Sequence, residues 1–145
     1  MYAGTVKASD TSASSTLDYN YFYWMYKTEN YDTAPVAIWL NGGPGASSAF
    51  GNFLLNGPLK ITETIDSSSG TDVYSFEIKN AKVSNEADAA TGSWADIATM
   101  IYVDQPSGTG FSYSVPEGQY CDNMDDCATA WNYFMFNLFT LYPEL

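Results

Sequence analysis

Two apolar runs stand out from an otherwise alternating pattern. Val36 to Leu40 reads Val-Ala-Ile-Trp-Leu, and Ala98 to Val103 is rich in Met, Ile, Tyr and Val. Short runs of this kind, bounded by polar segments, predict strands buried on both faces of a sheet. From Leu17 the period is two instead: Leu17, Tyr19, Tyr21, Tyr23 and Met25 are bulky and largely apolar, while Asp18 and Asn20 lie between them, which predicts a strand. Phe22, Trp24 and Tyr26 then make its second face aromatic, so this density of rings reads as core packing.

Tyr2 to Ala8 alternates as well and is expected to form a hairpin with the aromatic strand across the Ser- and Thr-rich loop from Ser9 to Thr16. Glu29 to Pro35 reads as a polar turn. Leu59 to Thr64 and Asp72 to Lys79 are short alternating segments around the flexible loop Asp66-Ser-Ser-Ser-Gly70. Ala81 to Gly92 has no periodicity and reads as surface, with Trp94 expected to anchor it back onto the core. Ser47 to Leu55 suits a short helix stopped at Asn56-Gly57-Pro58. A longer amphipathic helix closes the chain: Ala128, Trp131, Phe134, Met135, Leu138 and Tyr142 recur at helical spacing. Asp122, Asp125 and Asp126 stand at its start, where the macrodipole favours negative charge, and Pro143 ends it.

Composition narrows the reading. At 145 residues, 46% hydrophobic and 17% aromatic, the chain has apolar material for one compact unit and too little for two, so residues 1–145 are read as part of a single domain. Five basic against seventeen acidic side chains give a formal charge of −12, which repels nucleic acid and anionic membrane alike. No histidine occurs anywhere. An imidazole-activated nucleophile cannot be assembled from these residues, and a metal site would lack its commonest nitrogen ligand; neither metal nor cofactor is expected. Cys121 and Cys127 suit a local disulfide if the protein is exported, and two free thiols otherwise. No signal peptide, Asn-x-Ser/Thr sequon or membrane-length apolar stretch is visible in the sequence.

Candidate chemistry lies where the apolar runs stop. Asn41 through Gly45 carries three glycines and a proline, and Ala46, Ser47 and Ser48 follow. A strand, a glycine turn and a helix start in succession present backbone N–H groups to an anion. The second run ends at Asp104 and another glycine-rich segment. If the two strands are parallel neighbours, their loops meet at one sheet edge.

These motifs carry a family resemblance. Trp39-Leu-Asn-Gly-Gly-Pro-Gly45 and, sixty residues later, Asp104-Gln-Pro-Ser-Gly-Thr-Gly-Phe-Ser-Tyr-Ser114 resemble the serine carboxypeptidases, the α/β-hydrolases that remove C-terminal residues from peptides. Tyr2-Ala-Gly4, Phe22-Tyr-Trp24, Asn56-Gly-Pro58, Ser93-Trp94 and Tyr142-Pro-Glu144 fall in the family's order too. The resemblance implies an incomplete α/β-hydrolase: a mixed sheet with N-terminal antiparallel strands, an oxyanion-hole loop after a central strand, and a C-terminal amphipathic helix. It implies that the Gly43 N–H contributes to the oxyanion hole, that Asn41 and the Gly42 N–H bind the free C-terminal carboxylate of a peptide or protein substrate, and that Trp39 lines the site. Phe111 or Tyr113 would wall the substrate side.

Asp104 precedes the nucleophile that the family places later, so chain order excludes it as the triad acid. Ser47 and Ser48 read as helix-start residues rather than nucleophiles. The elbow Gly-x-Ser-x-Gly does not occur here, so nucleophile, acid and histidine are expected downstream and these residues alone are expected not to turn over. Two departures matter: Leu55 stands where the family usually has a carboxylic acid that shares a proton with the substrate carboxylate, and Ala46 stands where many members have cysteine. The family suggests a lysosomal, vacuolar or secreted location. An acyltransferase on the same fold, a non-catalytic binding module and a fragment without function remain as alternatives.

Overall fold

The computed structural model describes residues 1–10, 18–78 and 92–145. The expected surface segment from Ala81 to Thr91, Lys79 and most of the Ser/Thr-rich loop lie outside the described residues. Strands β1 (Tyr2–Lys7), β2 (Asp18–Tyr26), β3 (Val36–Trp39), β4 (Leu59–Ile65), β5 (Asp72–Ile78), β6 (Thr99–Val103) and β7 (Tyr113–Val115) precede one long helix, α1 (Met124–Leu141). A π-helical turn occupies Gly51–Leu55 and a 3-10 turn Trp94–Asp96.

The main sheet has the order β1-β2-β6-β3, with β7 added along the first residues of β2. β1, β6 and β7 run antiparallel to β2, whereas β3 runs parallel to β6 with Ile38 opposite Ile101 and Trp39 opposite Tyr102. The fold is therefore mixed α/β, with antiparallel strands at its N-terminal side, one parallel pair and a C-terminal helix.

All five residues of β6 are buried, because each face of the sheet has its own cover. On one face Tyr21, Tyr23, Met25, Ile101 and Val103 pack with Ala130, Phe134 and Leu138 of α1. On the other, Tyr26, Met100 and Tyr102 pack with Trp24, Ala37, Trp39 and Leu59. The alternation expected of β2 is thus realised: its odd positions face the helix and its even aromatic positions the opposite layer.

Four expectations need correcting. β3 is the margin of the sheet and not its centre; its four residues are half-buried, since among the described residues only β6 pairs with it. The covered face of α1 is centred on Ala130, Phe134 and Leu138, while Ala128 is exposed. The short helix begins at 49 and widens into the π turn, because Ser47 and Ser48 are engaged elsewhere. Trp94 reaches only the edge of the core: it is about half-exposed and rests edge-on against Trp39, with ring centroids 5.7 Å apart.

The helix start is built by Asn123, whose side-chain oxygen accepts from the Asp126 N–H at 3.0 Å, with Asp125 and Asp126 in the first turn. Cys121 and Cys127 form a disulfide just before and within that turn. At the other end, the Tyr142 and Tyr23 hydroxyls are 2.6 Å apart, and Lys27 pairs with Glu144 beneath the rings of Tyr2, Tyr31 and Tyr142. β4 and β5 form a separate antiparallel ribbon.

Candidate active site: two glycine loops on one sheet edge

Because β3 and β6 are parallel neighbours, the segments that follow them leave from the same edge and meet. Their meeting point is Asp104, which is buried. One carboxylate oxygen accepts from the Ser47 hydroxyl and from the Ser48 N–H, both at 2.8 Å; the other accepts from the Phe111 N–H at 3.0 Å. The Ser48 hydroxyl in turn donates to the Val103 carbonyl at 2.6 Å and accepts from the Asn41 N–H at 3.0 Å. Both serines are consumed in fastening the loop, which is how helix-start hydroxyls act.

Between these fastenings the loop 42–46 is exposed. Gly43 has φ +138°, and a β-carbon there would come within 3.1 Å of the Gly45 nitrogen, so the turn requires glycine at this position. Around Gly42 there is open space. No hydrogen bond among the described residues engages the Gly42 or Gly43 N–H, and two adjacent unengaged amides are what an incoming anion needs.

Trp39 orients the neighbouring side chain. Its indole N–H donates to Asn41 Oδ1 at 2.9 Å. With the amide oxygen occupied, Asn41 presents its NH₂ group as the remaining donor. Trp39 itself is half-buried against Trp94.

Phe111 and Tyr113, the two residues expected to wall the site, part company. Phe111 packs against Phe22, with centroids 5.1 Å apart, and helps line a recess of about 30 Å³ together with Trp24, Ala49, Asn52, Phe53, Tyr102 and Asp104. Tyr113 does not reach that recess; it lies on β7, paired with Asn20 of β2. Leu55 closes the π turn with about half its surface exposed. Ala46 lies in the exposed loop.

Sequence reasoning missed the polar groups beneath the loop. Asn52 is fully buried and neither of its amide atoms makes a well-formed hydrogen bond, although the buried Tyr26 hydroxyl interacts with it; the Trp24 indole N–H is also buried and unpaired. Burial pushes the Tyr26 phenol up to about 12, with the nearby Asn52 side chain acting in the opposite direction. Burial likewise raises Tyr102, whose hydroxyl donates to Asn56 Oδ1 at 2.9 Å. The available signal was an asparagine inside the apolar stretch from Phe50 to Leu55.

A mixed α/β sheet that sets a glycine loop at the carboxyl end of a parallel strand, beside a second glycine loop, belongs to the α/β class in which ligand sites gather at the carboxyl ends of strands. The chain belongs to the serine carboxypeptidase family, whose sequence profile matches residues 1–145. It is 32% identical over 147 residues to the pheromone-processing carboxypeptidase KEX1 of Candida glabrata, an alignment covering 99% of this chain and 17% of that protein. To the venom serine carboxypeptidase of Apis mellifera it is 33% identical over 127 residues, 87% of this chain and 23% of the relative. The crystal structure of Kex1(delta)p, a prohormone-processing carboxypeptidase from Saccharomyces cerevisiae, superposes with a TM-score of 0.67 at 28% identity, covering 99% of this chain and 28% of that one. The chain therefore spans between 17% and 28% of the length of these relatives.

Proposed function

We propose that these residues form the N-terminal part of a serine carboxypeptidase, an α/β-hydrolase that cleaves the C-terminal peptide bond of a peptide or protein through an acyl-enzyme. The observation that carries this reading is the exposed Gly42–Gly43 pair with its unengaged N–H groups, following Asn41, whose side chain Trp39 orients, at the carboxyl end of β3.

In this reaction a serine oxygen adds to the scissile carbonyl carbon, and the carbonyl oxygen takes up the negative charge. The Gly43 N–H stabilises that oxyanion, a donor role worth most when the group is preorganised. Collapse expels the C-terminal amino acid as its amine is protonated, and water then releases the acyl group. The Asn41 NH₂ group and the Gly42 N–H hold the substrate's free carboxylate. Trp39 acts by orienting Asn41. Nucleophile, triad acid and histidine come from residues outside these 145.

A fluorophosphonate probe tests both halves of the reading. The full-length protein is expected to label at one serine and to release C-terminal amino acids, while the isolated 145 residues do neither. Stoichiometric labelling of a serine in the isolated chain, or an unlabelled and inactive full-length protein, overturns it. Leu55 favours a second reading, acyl transfer to an alcohol, because an apolar side chain cannot share a proton with a substrate carboxylate; product analysis of the full-length protein separates hydrolysis from transfer.

A further inference from the structure

We propose that Asp104 is the positioning residue of the anion-binding loop: its carboxylate clamps the glycine segment after β3 to the glycine segment after β6, and so sets where the Gly42 and Gly43 amides point. The proposal rests on reading that loop as the oxyanion and carboxylate site.

The geometry has three parts. The glycine loop is pinned at both ends by one serine–aspartate pair, since Ser48 receives the Asn41 N–H at the loop's start and gives its own N–H to Asp104 at the loop's end. Between those pins the backbone passes through positive φ at Gly43 and Gly45, a conformation with few internal restraints of its own. Asp104 is also fastened to the strands: its N–H donates to the Phe22 carbonyl at 3.0 Å, and its carbonyl accepts from the Ser112 hydroxyl at 2.6 Å. That hydroxyl accepts from the Phe22 N–H at 2.7 Å. The loop is thereby referred to the centre of the sheet.

The chemistry of the group matters as much as its place. Three donors converge on the two oxygens, and an ionised carboxylate, which only accepts, satisfies all of them. An amide in its place turns an NH₂ group towards at least one donor. Gly110 completes the design, because a β-carbon at that position would overlap the Asp104 carboxylate. The charge is spent inside the clamp and buried. The loop's exposed amides remain available to the ligand.

Asp104→Asn in the full-length protein is expected to lower kcat roughly 10- to 100-fold, the scale of a misplaced catalytic group, and to raise KM for free-acid peptides as well, because the Gly42 donor moves with the Gly43 donor. Ser47→Ala, which leaves two of the three donors in place, should lose less than about fivefold because a charge-assisted acceptor retains most of its bonds. Rates are expressed per fluorophosphonate-labelled site, so misfolded protein does not count. An unchanged kcat per labelled site overturns the proposal.

If the wild-type protein neither labels nor hydrolyses, the functional reading fails on its own, and the clamp is judged by amide hydrogen exchange. Asp104→Asn should then speed exchange at Ser48 and Phe111 at least about tenfold relative to α1, as expected when a locally closed segment opens. Equal exchange in the two proteins overturns the clamp.

Discussion

Trp39 and Gly51 are packed so closely that a β-carbon at position 51 would overlap the indole nitrogen. The same nitrogen orients Asn41 at 2.9 Å, so the missing side chain of the π turn makes room for the residue that aims the Asn41 side chain. Gly51→Ala is expected to destabilise the protein by about 1–3 kcal/mol through overpacking, read as a lower urea midpoint. In the full-length protein it should raise KM for free-acid peptides more than it lowers kcat, because the Asn41 donor is disturbed and the Gly43 turn is not.

Asn52 offers the opposite experiment. It is fully buried beside Trp24, Phe53 and Tyr102, and its amide makes no well-formed hydrogen bond. Leucine has the same number and branching of side-chain heavy atoms and no polar atom to desolvate. Asn52→Leu is therefore expected to stabilise the protein by about 1–2 kcal/mol, measured as a higher guanidinium midpoint at unchanged slope. A lower midpoint would show that the amide is engaged in the folded protein.

The buried phenols predict an alkaline transition. Burial raises Tyr21 and Tyr26 to about 12 and pushes Tyr23 and Tyr102 upward as well, Tyr23 helped by its hydrogen bond to Tyr142. Above pH about 10 the unfolded chain loses these protons while the folded chain keeps them, so the unfolded state binds fewer protons and stability falls with pH. Full stability on this account is present below the ordinary tyrosine pKa and is lost between about pH 10 and 12. Thermal melts across that range, read with tyrosinate absorbance, should show unfolding and ionisation moving together; ionisation of every tyrosine before any loss of structure would contradict it.

Leu55 is the position at which selectivity can be changed. It sits half-exposed at the end of the turn that follows the Gly42–Gly45 loop. On the proposed reading, Leu55→Glu in the full-length protein supplies an acid able to share a proton with a substrate carboxylate held by Asn41 and Gly42. Preference for free-acid over amidated peptides should rise about tenfold or more below neutral pH, the scale of one charge-assisted hydrogen bond, and fade as the introduced acid ionises. A preference that does not respond to the substitution would place the carboxylate elsewhere.

Much of this was legible from the residues because the signals are local. The period of two in β2, the apolar run of β6, the glycine turn after Trp39 and the helical stripe with Phe134 and Leu138 are set by neighbours within a few positions. Other features were misread for the same reason. An apolar run marks a strand without saying how many strands flank it, so β3 was expected at the centre and lies at the margin. Helical spacing defines a face only to within the tilt of the helix on its sheet, so Ala130 takes the buried place expected of Ala128.

By itself, then, the sequence determined the family, the strand and helix segments, and the two glycine segments that flank the site. Only the tertiary structure decided what those segments do to each other. Asp104 reads as a lone acid at a strand end until Ser47 and Ser48, more than fifty positions away, are brought to its carboxylate. Trp39 reads as a wall of the site until Gly51 is seen to hold its ring and Asn41 its nitrogen. Periodicity encodes which side of an element is buried; which donors meet which acceptor depends on strand order, and strand order is set by packing over the whole chain.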